Sequence, residues 1–150
     1  MTANRPAHDD RPAERHRRPD GVDDATVEAV GKLSEALETT ERARGALFDF
    51  HQLTGGADLA LGEAVQLLRD AGHHAVADRL ETEMVGRNVV PGRWTFQLVE
   101  EYDEGYYADF RRVEREIRDE LVAGRTHLFE AEMKEARRTH GRPGHEATPS

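Results

Sequence analysis

Cysteine is absent from the 150 residues, which removes disulfides, thiolate metal sites and cysteine nucleophiles together. Serine is almost absent too. It occurs only at Ser34, inside a helical pattern, and at Ser150, so a Ser-His-Asp arrangement has no usable nucleophile. No Gly-rich phosphate loop, dinucleotide fingerprint or His-Glu-x-x-His pair is written into the chain. Aromatic residues make up only 6%, which suits lean helical packing better than a thick interior. No stretch of eighteen apolar residues occurs, and the first thirty residues hold no apolar run of the signal-peptide type. A cytoplasmic protein without a membrane span is therefore expected.

Charge is what the chain has in abundance, with 34% of residues charged and a net charge of −9. Residues 21–136 hold 25 acidic against 13 basic side chains. A field of that sign repels phosphate backbones, so nucleic acid is not an expected partner of the folded part. Residues 1–22 combine Pro with mixed charge and almost nothing to bury, which predicts a disordered N-terminal arm. Residues 140–150 read the same way, leaving a single helical domain over 23–139. No internal repeat of 20 to 50 residues is present.

Apolar spacing predicts an all-α fold, an elongated antiparallel bundle of about four helices with long first and last members. Asp23 or Asp24 caps a first helix that the Thr54-Gly55-Gly56 run is expected to stop near Gln52. A second helix, capped by Asp58, is expected to end at Gly72 in the left-handed position that glycine favours. A short third helix runs from His74 to Gly86. Pro91-Gly92 carries the signature of a type II turn. Thr95 is expected to cap a last helix reaching Thr139, with Trp94 and Val99 closing a hydrophobic staple. Val99, Tyr102, Tyr106, Phe110, Val113, Ile117, Leu121, Gly124 and Leu128 mark its inward stripe at an eleven-residue period, which argues against a left-handed coiled coil there. The end of that stripe overhangs any partner in the chain, so a second copy is expected to cover it.

The rare residues collect between Val89 and Tyr107, where the only Trp and all three Tyr stand beside four acids. Glu100 and Glu104 are like charges at i and i+4, and no cation four residues away relieves Glu100, Glu101, Asp103 or Glu104. Alignment of the first and last helices puts His51 near Gln97 and Arg44 level with Asp103 and Glu104. An interhelical ion pair that fixes register, joined by Arg79, Arg87 or Arg93, is the expected use of these acids. Two functional uses stand beside it, a contact for a basic partner and a divalent-cation site of oxygen ligands. Tyr102, Tyr106 and Phe110 are expected to pack inward, whereas Tyr107 lies off the stripe and marks an outward surface. A di-iron bundle lacks its Glu-x-x-His pairs: the nearest match, Asp70-x-x-His73, is interrupted by Gly72, and His73 and His74 read as turn residues.

The segments ALFDFHQLTG, GRNVVPGRWTFQLVEEYDEGYYADF and RTHLFEAEMKEARRTHGRPGH resemble the conserved, short, single-domain helical proteins of actinobacteria, a likeness that covers most of residues 23–147. Nineteen Arg against two Lys fits the GC-rich coding of that source. The resemblance implies a cytoplasmic helical protein and brings no activity or residue roles with it. The reading at this stage is a non-enzymatic protein that binds a protein partner or a second copy of itself, with candidate residues Arg44, His51, Arg93, Trp94, Glu100, Glu101, Asp103, Glu104, Tyr106 and Tyr107. No cofactor is expected. The alternative is a carboxylate-based divalent-metal or small-molecule binding protein, extending to an enzyme, with its site at residues 94–107.

Overall fold

The computed structural model describes residues 10–149. Regular structure among them is helical, as expected, apart from one isolated bridge between Val90 and Arg93. Helix α1 (Asp24–Asp70) is capped by Asp23, whose Oδ1 accepts the Thr26 N–H at 2.8 Å. It ends at Gly72, φ +86°, where the His73 and Gly72 amides donate to the Leu68 and Arg69 carbonyls at 2.8 and 2.9 Å. This is the left-handed glycine stop that the sequence predicts.

The expected break at Thr54-Gly55-Gly56 does not occur, and two predicted helices are one of 47 residues. Glycine costs a helix only about 1 kcal/mol per residue, which neighbouring packing can offset. The Thr54 hydroxyl stays within the helix by donating to the Phe50 carbonyl at 2.6 Å. Burial resumes at Val65. Asp58 is no cap: its Oδ1 accepts the Gly86 N–H at 2.7 Å and so closes the far end of α2 (His74–Glu83).

The predicted single helix from Thr95 to Thr139 is interrupted twice. It consists of α3 (Thr95–Tyr102), a π-helical turn (Asp103–Tyr107) with Gly105 at φ −101°, ψ −106°, α4 (Ala108–Val122) and α5 (Leu128–Arg137). The π turn adds one residue to the winding and changes which side chains face inward beyond it. Glu114 and Val122 are accordingly buried, while Val113 and Leu121 are exposed. The eleven-residue stripe is therefore buried only in part: Val99 and Leu128 are buried and Tyr102, Phe110 and Ile117 partly so, whereas Tyr106, Val113 and Leu121 are exposed. The second interruption follows Val122, where Ala123, Gly124 and His127 all take positive φ. Gly124 suits its φ of +70°, a conformation glycine adopts without a Cβ penalty.

The chain forms two compact units, residues 38–110 and residues 10–37 with 111–149. In the latter, Val27 and Val30 of α1 pack with Val122 and Leu128, and Val22 lies against them. Leu128, expected on an overhang, is thus buried in its own chain, and the need for a second copy to cover it lapses. Glu114 is buried but paired, accepting from Ser34 Oγ at 3.2 Å and Arg118 Nε at 3.0 Å. The Arg138 side chain is held by Glu135 and Asp10, each at 2.7 Å.

Residues 10–22 belong to the arm expected to be disordered, yet they make specific contacts. Arg18 bridges Asp24 and Glu132, and the Arg15 carbonyl accepts the Thr126 N–H at 2.9 Å. Residues 140–149 of the expected tail also contribute, through the Ala147 N–H on Asp10 Oδ1 at 3.0 Å. Residues 1–9 of the arm and residue 150 of the tail lie outside the described residues.

Candidate functional site

The site lies within residues 38–110, and its entry is set by the Pro91-Gly92 turn. Gly92 takes φ +78° and the Arg93 N–H donates to the Val90 carbonyl at 3.3 Å, the type II geometry expected. The cap of α3 differs from expectation. Trp94, not Thr95, is the cap residue: its N–H donates to Gln97 Oε1 at 2.9 Å, and the Gln97 N–H returns a bond to the Trp94 carbonyl at 3.1 Å. The Thr95 hydroxyl is used elsewhere, 2.7 Å from His51 Nδ1. Trp94 does not close a staple; it is 60% exposed and its ring lies 5.2 Å from that of Phe96.

Contacts between α1 and the following segment occur in inverted order. His51 meets Thr95, Arg44 meets Asp103, and the Tyr102 hydroxyl donates to the Thr40 carbonyl at 3.4 Å. Arg44 and Asp103 form a two-pronged ion pair, Nε to Oδ1 at 2.5 Å and Nη2 to Oδ2 at 2.9 Å. The Arg44 guanidinium also faces the Phe48 and Tyr107 rings at 5.0 and 5.3 Å. Its hydrogen bonds hold the Asp103 carboxyl below the ordinary carboxylate range, and the same pair raises Arg44. Burial pushes the Tyr102 phenol up.

The π turn reverses the two outer tyrosines. Tyr107, expected to face outward, lies over Arg44 and donates its hydroxyl to Glu41 at 2.5 Å. Tyr106, expected inward, is 64% exposed and stacks on Phe110 at 6.0 Å. One extra residue in the winding accounts for both changes. Sequence periodicity could not place it; Gly105 in the middle of the aromatic run is the one local signal.

The remaining acids divide. Glu101 pairs with Arg93 at 2.8 Å, whereas Glu100 and Glu104 are exposed and have no ion-pair partner among the described residues. No group of three metal-capable side chains among the described residues includes any of the four carboxylates or His51. Arg79 and Arg87, offered as further partners for the acids, do not bond to them. Arg87 instead lines a groove of about 400 Å³ with Thr54, Asp58, Leu61, Met84 and Val89. A second, shallower groove of about 260 Å³ continues past Asn88 to Trp94 and Phe96.

Fold and site together define an all-α protein in which Asp103 and Glu101 serve as struts and Trp94, Phe96 and Tyr106 are exposed. No protein-family model, curated protein or solved structure matches the chain. No helix among the described residues is long and apolar enough to cross a membrane.

Proposed function

We propose that this chain is a non-enzymatic helical scaffold or adaptor of the cytoplasm that binds another protein through the surface carrying Trp94, Phe96 and Tyr106. One observation carries the reading: Asp103 and Glu101 are committed to Arg44 and Arg93, while two aromatic rings beside them remain largely exposed. An active site turns its ionisable groups toward a substrate; here Asp103 and Glu101 are spent on neighbouring Arg side chains. Trp and Tyr are the side chains on which interface energy concentrates. The likeness to short actinobacterial helical proteins fits this compartment and class without naming a partner.

Affinity capture from a native lysate tests the reading, with the full chain compared against a Trp94→Ala/Tyr106→Ala variant. Both rings are exposed, so the variant keeps its core. A protein retained by the wild type and lost with the variant supports the assignment; identical capture by both removes it. A second reading, a divalent-cation or small-molecule binding protein extending to an enzyme, draws on the groove beside Trp94 and on the two unpaired acids. Calorimetric titration with Mg²⁺, Mn²⁺ and Zn²⁺ addresses it. Heat that disappears in Glu100→Gln/Glu104→Gln would favour it, and silence for all three removes the cation.

A further inference from the structure

Helix α1 carries a second apolar seam, one residue behind the buried one. The inward positions Arg44, Leu47, His51, Thr54, Asp58 and Leu61 are all partly buried; each outward neighbour one residue earlier is small or apolar and exposed. Ala43, Ala46, Phe50, Leu53, Ala57 and Ala60 alternate at spacings of three and four, and Leu67 continues the pattern. Leu53 is 72% and Leu67 69% exposed. A period of 3.5 held over this length is the pattern of a left-handed helix pair.

Charge is withheld from this face. In a chain that is 34% charged, residues 50–62 contain one ionisable acid or base besides His51, and that one, Asp58, is spent on the Gly86 N–H. Gly45, Gly55, Gly56 and Gly62 weaken α1 relative to alanine. Of these only Gly56 flanks the seam, and a Cβ there would meet no atom of the described residues within 4 Å. A helix from outside can therefore approach closely beside Gly56.

We propose that this face binds the same face of a second copy of the chain, running in the opposite direction. The proposal rests on the protein-binding reading above and places a first interface on a different surface. Its ends are complementary. Arg42 and Glu63 flank the seam on one side, both exposed and neither in an ion pair among the described residues. With Phe50 of one copy against Leu53 of the other, Arg42 meets Glu63 twice, Asp49 meets Gly56, and Ala43 and Ala46 lie against Ala60 and Ala57. Sliding one copy by a heptad to set Phe50 on Ala60 would put Asp49 on Glu63, a like-charge contact at both ends. The charges therefore select the register.

Light scattering and sedimentation of the full chain test this. The expected mass is twice 16.9 kDa, falling to the monomer in Leu53→Arg with unchanged helical circular dichroism. Arg42→Glu and Glu63→Arg are each expected to weaken the dimer at least tenfold, and the double charge swap to restore it. A monomeric wild type, a dimer that survives Leu53→Arg, or a double swap that fails to recover would each overturn the proposal. So would capture of a different protein that depends on Leu53. Loss of lysate capture on removing Trp94 and Tyr106 is a separate result, so failure of one reading is distinguishable from failure of the other.

Discussion

Arg44 is held by more than its charge. Its guanidinium forks onto Asp103 and faces two aromatic rings, a geometry that a lysine ammonium cannot reproduce. Arg44→Lys should therefore lower the thermal midpoint nearly as far as Arg44→Ala. Arg44→Ala/Asp103→Asn should lose less than the two single changes together, as read by a double-mutant cycle. A Lys variant with wild-type stability would show that the fork and the stacking contribute nothing. Glu135 makes a second residue-level case. Hydrogen bonds from Arg138 and then His140 hold its carboxyl at about 2, against an ordinary value of 4.5. A depressed folded-state value contributes stability that is complete above the unfolded value and lost as the carboxyl protonates. Denaturation followed from pH 7 downward should show stability falling between about pH 4.5 and 2. Glu135→Gln should be less stable at pH 7 and lose less over that window.

A single residue of winding decides what the second half of the chain presents. Helical spacing alone puts Tyr106, Val113 and Leu121 inward; the π turn at Asp103–Tyr107 hands those places to Tyr107, Glu114 and Val122. This explains why the all-helical class, the Asp23 cap, the Gly72 stop and the Pro91-Gly92 turn are legible in the sequence, while the facing of the aromatic side chains is not. Caps and turns are local chemistry; phase is a sum along the helix, and one inserted residue resets it. The Gly55-Gly56 pair misled in the opposite sense. Two glycines are a weak stop signal, and dividing α1 there concealed the 3.5-residue seam that runs straight through them. Since a Cβ at Gly55 meets nothing within 4 Å, Gly55→Ala should stabilise the chain by about 0.4–1 kcal/mol. Urea unfolding measures this, and a loss of stability would mean that α1 is not a regular helix at Gly55.

On the scale of the whole molecule, the described residues bury few apolar side chains and form many ion pairs. Val27, Val30, Val122 and Leu128 form one small cluster, so Leu128→Ala should cost about 2–4 kcal/mol. A urea midpoint that barely moves would show that this cluster does little to hold α5. A lean interior also leaves α1 with an exposed apolar face, and the proposed dimer would make stability a matter of concentration. A dimer that binds folded chains and not unfolded ones adds stability by mass action. The wild-type melting temperature should therefore rise with protein concentration, whereas that of Leu53→Arg should stay constant. If both curves are flat, the face between Ala43 and Leu67 has no second copy to bind.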